Sequence, residues 1–322
     1  TVSLLSDRER ALVKGLLVNK FRGDVTLFSE GAKLLETLSS KPVLGVVPYF
    51  SLDIDDEDSL SERLDRRQIG KGIDAAVIRF PHISNFTDFG MLEGCEGVSV
   101  RYVNTAEELG KPDILFLPGS KNTMSDLLWI RQNGLEAGIQ KAALEGCRIF
   151  GICGGYQMLG QRLLDPDGCE HGGELAGLGL LPVTTTFGKR KHRTRVEGRV
   201  EPIEGIYQGM SGVSAEGYEI HMGETCLLET CGRFASMTDC VTGKQYPDGC
   251  VKGNVCGTYI HGILDAPGLL KGLLNPVFLE KGMTPGAYRD LAGYRQEQYD
   301  ILADVIRAHM DMDAVRRIIG LK

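Results

Sequence analysis

The chain has 322 residues, 42% apolar and 25% charged, with a formal net charge of −7. The length suits two units or one large unit with an appendage, the composition is that of an ordinary soluble protein, and the negative charge argues against general nucleic-acid binding. No apolar stretch reaches the ~18 residues a membrane span needs, and the charged start around Asp7-Arg-Glu-Arg10 is unlike a secretory signal, so a cytoplasmic protein with neither nucleic-acid nor membrane partners is expected.

The first residue is Thr1 rather than Met, so the chain is expected to be the later part of a longer protein. Residues 11–19 end in a short apolar run that reads as a buried strand. Phe28–Ser39 has helical spacing, and Pro42–Pro48 reads as a second buried strand. Strand, helix and strand in that order predict one α/β unit with parallel strands. Residues 51–71 are polar, with Asp53, Asp55, Asp56, Glu57 and Asp58 crowded together. A solvated linker is preferred there over a metal site, and the first boundary is set there, giving segments 1–70, 71–268 and 269–322.

A second series follows. Strands are predicted at 74–80, 98–103, 113–118 and 148–151, with helices at Met124–Asn133 and Leu135–Glu145. Strands alternating with helices predict a doubly wound, flavodoxin-like α/β fold. From 175 to 260 the pattern shifts to Gly-rich β segments and turns. The one basic run, Lys189–Arg195, lacks interleaved aromatics and reads as a solvated loop rim. Pro285–Ile319 reads as helical, with Tyr288, Leu291, Tyr294, Tyr299, Leu302, Val305 and Ile306 on a packed face. The nine cysteines are odd in number and contain no C-x-x-C pair, which predicts reduced thiols and no structural metal.

The chemistry concentrates at Gly151-Ile-Cys-Gly-Gly155, where an apolar strand runs into a helix. This is a nucleophile elbow with Cys153 as the nucleophile. The glycines permit a sharp turn, the helix N-terminus favours a thiolate, and the Gly154 N–H is aimed at an oxyanion. A thiol nucleophile needs a base. Two histidines follow strand-like segments, His261 in Tyr259-Ile-His-Gly262 and His221 in Glu219-Ile-His-Met222, and position alone does not choose between them. A second oxyanion donor is expected in the turn at Leu117-Pro-Gly-Ser-Lys-Asn-Thr123, at Gly119. None of the Gly-Lys pairs is followed by Ser or Thr, so the chain carries no phosphate loop of the G-x-x-x-x-G-K-[ST] kind.

These segments, with Val18-Asn-Lys-Phe-Arg-Gly-Asp24, Val43-Leu-Gly-Val-Val-Pro-Tyr49, Ile83-Ser-Asn-Phe-Thr-Asp-Phe89 and Gly217-Tyr-Glu-Ile-His-Met-Gly-Glu-Thr225, resemble the class I glutamine amidotransferases, and within them the cobyric acid synthase family of cobalamin biosynthesis. The resemblance covers residues 10 to 320. It implies Cys153 as nucleophile, His261 as base, Gly119 and Gly154 as the oxyanion hole, and Gly155 and Gln157 as glutamine-binding residues. It also implies Glu219, His221 and Glu224 on the acceptor-substrate side. Glutamine and a corrinoid are the implied partners. ATP and Mg²⁺ would serve a dethiobiotin-synthetase-like domain of which residues 1–50 resemble only the end, near Asn19-Lys20. No cofactor is implied for the chain itself. The family's sister enzyme, making the a,c-diamide, and a non-catalytic binding domain are the alternatives. Where classical amidotransferases read His-x-Glu, this chain reads His261-Gly262-Ile263, so either a Cys153–His261 dyad suffices or another group orients His261, with Glu219 and Glu224 as candidates. Lacking a phosphate loop, the chain is expected to release no more phosphate from ATP than a mock preparation does; robust ATPase activity would refute this.

Overall fold

The computed structural model describes residues 1–50, 52, 72–229, 231–288 and 291–321; the acidic cluster at 53–58 lies outside them. The chain forms two units, Thr1–Ile54 with Leu291–Lys322, and Asp55–Asp290. In the smaller unit, Leu16–Phe21 and Val43–Pro48 pair as parallel strands across the helix Ser29–Ser39. The apolar run at 11–19 is divided. A capping box, Ser6 with Glu9, starts a helix over Asp7–Leu12, and the strand begins only at Leu16. Most of the two strands is half-buried or exposed, and Val47 is the fully buried residue of the pair.

The helices Leu291–His309 and Met312–Ile319 belong to this unit. Asp311 N–H donates to the Leu44 carbonyl at 2.7 Å, and Met310 bridges Gly45. The segment 269–322 therefore does not act as one extension, since its first helix, Pro267–Glu280, lies in the larger unit. Tyr299 is 52% exposed, so the packed helix face is narrower than its periodicity suggests.

The larger unit is built on a six-stranded sheet ordered Cys250–Lys252, Val255–Thr258, Arg148–Ile152, Ile114–Leu117, Ile73–Ile78, Val98–Val103. All neighbours are parallel except Cys250–Lys252, which pairs antiparallel with Val255–Thr258 at the edge. Numbered along the chain, the parallel strands run 2-1-3-4-5, the flavodoxin-like order, which sets ligand sites at the carboxyl ends of the strands. Ile73–Ile78 and Arg148–Ile152 are buried along their whole length, as both-sided cover requires. Phe89, Phe116, Phe150 and Phe234 form a chain of tilted and edge-on rings 5.2, 6.1 and 5.8 Å apart through the core.

A second six-stranded sheet holds the Gly-rich region. Its long members, Val183–Val200 and Ser214–Leu227, pair antiparallel with a break in register between Thr186 and Lys191. The basic run Lys189–Arg195 thus lies in a strand rather than a loop, because it has a partner strand to bond to. Its side chains are exposed apart from Thr194, so its solvation is as expected. One expectation fails: Cys231 and Cys250 form a disulfide, their Cα atoms 6.5 Å apart, where every thiol was expected to be reduced. The Gly232–Val251 bridge sets the two cysteines side by side. Among the described residues no helix is long and apolar enough to cross a membrane.

The edge strand Val98–Val103 is locked by a buried ion pair. Arg101 Nε and Nη2 donate to the two Asp74 oxygens at 2.7 and 2.9 Å, and the guanidinium also reaches the carbonyls of Glu108 and Leu109. Removing one partner strands a buried charge. Arg101→Ala is expected to destabilise the larger unit by about 3–5 kcal/mol, read as a lower urea midpoint; a loss below about 1 kcal/mol would contradict the pair's role.

Candidate active site

Four strand ends converge at the carboxyl edge of the parallel sheet. Arg148–Ile152 leads into Cys153, which stands at φ 51 and ψ −106, a backbone conformation rare outside glycine. The turn is held by Cys153 N–H donating to the Thr258 carbonyl at 2.8 Å and Gly155 N–H donating to the Pro118 carbonyl at 3.0 Å. A side-chain carbon at Gly155 would lie 1.9 Å from the Leu117 oxygen, so only glycine lets the helix Gly154–Leu159 start there. Gly154 is the first helical residue, and its N–H has no partner within the helix.

His261 follows the neighbouring strand Val255–Thr258 and is fully buried. Its backbone is tied on both sides to Tyr218, with N–H to carbonyl distances of 3.1 and 2.8 Å, and the Tyr218 ring stacks on the imidazole at 5.3 Å. Its Nδ1 lies 2.8 Å from Asp88 Oδ2, and Asp88 Oδ1 accepts from Gly262 N–H at 2.8 Å. Asp88 is itself buried, between the buried rings of Phe86 and Phe89 in a short turn that begins at Asn85 in the left-handed region. The Asn85 amide in turn donates to the Tyr218 hydroxyl at 2.5 Å.

Burial opposes a charged imidazole, but the Asp88 carboxylate and then Cys153 outweigh it, and the His261 pKa is pushed up to about 10. Nε2 has no partner at hydrogen-bonding distance, and Cys153 is the second group that favours the proton on the ring. The pair is thus a loose contact of the kind catalytic groups show before substrate arrives. A side-chain carbon at Gly119 would meet the His261 ring at 3.0 Å, so the turn expected to donate to an oxyanion does border this imidazole.

The structure brings together Cys153, His261, Gly119 and Gly154, and adds Asp88, which the sequence reading missed. Glu219 and Glu224 do not orient His261. Glu219 bonds to Tyr246 and lies beside His192 and His221, and Glu224 is exposed with Arg190 at 3.4 Å. His221 has its nitrogens on the Gly223 carbonyl and Glu219 and its ring stacked on Tyr259 at 3.8 Å. Gln157 is buried, accepting from Thr123 and donating to the Met222 carbonyl and the Tyr259 hydroxyl. Both its N–H groups are used within the protein, so it braces the site from below. The Ile220 carbonyl lies 3.7 Å from the Cys153 sulfur. An Asp between two large apolar residues was the available signal for Asp88, since such a carboxylate is costly to bury unpaired.

A family profile described as a CobB/CobQ-like glutamine amidotransferase domain matches residues 74–268. A protein named cobyric acid synthase from Ruminiclostridium cellulolyticum is 49% identical over 99% of the chain and 63% of its own length. One of the same name from Citrobacter koseri is 43% identical over 99% of the chain and 63% of its own length. The chain thus spans a little under two thirds of these relatives. A chain in the structure of PurLQS from Thermotoga maritima has the same fold, with a TM-score of 0.50 and 21% identity over 63% of this chain and 98% of that one.

A raised His261 pKa keeps the imidazolium through neutral pH, and it is lost as pH rises through about 10. Asp88→Asn removes the main raising charge, so the ring gives up its proton at lower pH. Alkylation of Cys153 by iodoacetamide at pH 7, followed on its peptide by mass spectrometry, is expected to slow by roughly tenfold toward ordinary thiol reactivity. An unchanged rate would remove Asp88 from this role.

Proposed function

The chain belongs to the CobB/CobQ-like glutamine amidotransferase family, and from that membership we propose that it hydrolyses glutamine at Cys153 to supply ammonia for amidating a corrinoid. The observation that carries this reading is the buried Asp88–His261 pair beside a cysteine on a strained elbow. The Cys153 thiolate attacks the side-chain amide carbon of glutamine. The oxyanion that forms is stabilised by N–H groups at Gly154 and around Gly119. His261, held as imidazolium by Asp88, gives its proton to the leaving nitrogen. Ammonia departs and a γ-glutamyl thioester remains. Water then attacks the thioester as His261 takes up a proton, and glutamate leaves with the thiolate restored.

In this proposal the ammonia serves ATP-requiring amidation of the b, d, e and g carboxylates of adenosylcobyrinic acid a,c-diamide, the reaction of the cobyric acid synthases that the chain resembles. The identity with proteins of that name over 99% of the chain supports this acceptor over other amidotransferase substrates. ATP and Mg²⁺ find no phosphate loop in this sequence, so no step here runs through them; they are assigned to the further length that the relatives have.

Glutamate release by the chain is expected to fall by roughly 100-fold or more in His261→Ala, as positioned acid–base groups contribute that much, and to vanish in Cys153→Ser. In the longer enzyme, Cys153→Ser should lose amidation from glutamine yet keep it from added ammonia. Loss of both with the fold intact would refute this division of roles, and a loss in His221→Ala but not in His261→Ala would overturn the choice of base.

A further inference from the structure

The strands Val183–Val200 and Ser214–Leu227 carry a second cluster of side chains on one face. His192 and His221 are directly opposed across the ladder, and Glu219 lies two residues from His221 on the same face. His192 Nε2 and His221 Nε2 lie 3.1 and 3.4 Å from the same oxygen, Glu219 Oε2. All three donor atoms fall within 4.8 Å of one another.

These separations have a specific meaning. Donors at ~2.0–2.1 Å from a tetrahedral zinc ion stand about 3.3 Å from each other. The two measured distances bracket that edge. The surroundings fit as well. The His221 Nδ1 sits 3.1 Å from the Gly223 carbonyl, which can only accept, so Nδ1 carries a hydrogen and Nε2 is the ring's available ligand atom. Both rings aim Nε2 at one carboxylate oxygen, and one cation at the centre would be held by all three groups. Glu219 is buried, and its second oxygen accepts from the Tyr246 hydroxyl at 2.9 Å, an outer contact of the kind that orients metal-binding carboxylates.

We propose that His192, Glu219 and His221 bind one divalent transition-metal ion of the zinc class. Two imidazoles and one carboxylate are a three-ligand set that leaves a fourth position for water or an anionic oxygen. The three ligands line a cavity of about 520 Å³ whose walls carry Arg190, Arg233 and Lys244 beside Glu224, Asp239 and Asp248. The ion is coupled to the elbow by contact. His221 stacks on Tyr259, whose hydroxyl accepts from Gln157 beneath Cys153. Local spacing conceals the cluster, because its ligands come from two strands with no paired cysteines.

The test is a titration of the metal-free, reduced chain with Co²⁺, followed by its visible ligand-field bands, with Zn²⁺ as competitor. One equivalent should bind, with the strong visible absorption of a four-coordinate site and without thiolate charge-transfer bands. His192→Ala, on a half-exposed ring that the fold does not need, should abolish the spectrum. Tyr246→Phe should weaken binding by roughly tenfold, as lost outer-shell partners do. No uptake at tenfold excess, an unchanged spectrum in His192→Ala, or thiolate bands from the free cysteines would each overturn the site.

Discussion

A carboxylate and an imidazole that water does not reach, Asp88 and His261, are the contact on which the larger unit's architecture turns. They are 173 residues apart in sequence and 2.8 Å apart in space. Either charge alone in that setting would be expelled or neutralised; together, with Gly262 N–H on the second oxygen, they hold each other in place. The fold answers this constraint with rigidity. Phe89 next to Asp88 is locked into the aromatic chain of the core, and the backbone of His261 is pinned by Tyr218. Because these strands run parallel, the segment after Ile73–Ile78 and the end of Val255–Thr258 both leave the sheet at its carboxyl edge.

The strand Ser214–Leu227 does two jobs because a strand has two faces. Its Tyr218 ring and the Ile220 and Met222 carbonyls attend to His261, Cys153 and Gln157. Glu219 and His221, one residue out of step, meet His192 and the cavity behind. The long ladder with Val183–Val200 fixes that register, so neither face can move without the other.

Much of the sheet could be read directly from the chain. Strands such as Val98–Val103 and helices such as Thr123–Gln132 announce themselves by apolar runs and spacing, and Cys153 between glycines after a strand marks its own turn. What could not be read depends on distant partners. Choosing His261 over His221 needed a resemblance, since in sequence both follow strand-like segments, although the structure sets His221 inside Ser214–Leu227. Asp88 is in a segment whose spacing says nothing of an imidazole so far along the chain. The Cys231–Cys250 bridge depends on how two strand ends meet, and the pairing of the last helices with Val43–Pro48 crosses almost the whole sequence. Local pattern carries periodicity; it does not carry contacts of that range.

The backbone at Cys153 has an implication for how such a chain ages. A side chain held at φ 51 is less comfortable there than a bare glycine, so the fold alone gives drift every reason to erase it. Only turnover pushes the other way. A descendant that had given up chemistry and survived as a scaffold would find glycine at this position the easiest replacement and would gain stability by it. On the proposed reading, a sulfur still standing on that turn is a record of work under selection, written in a torsion angle rather than in a contact.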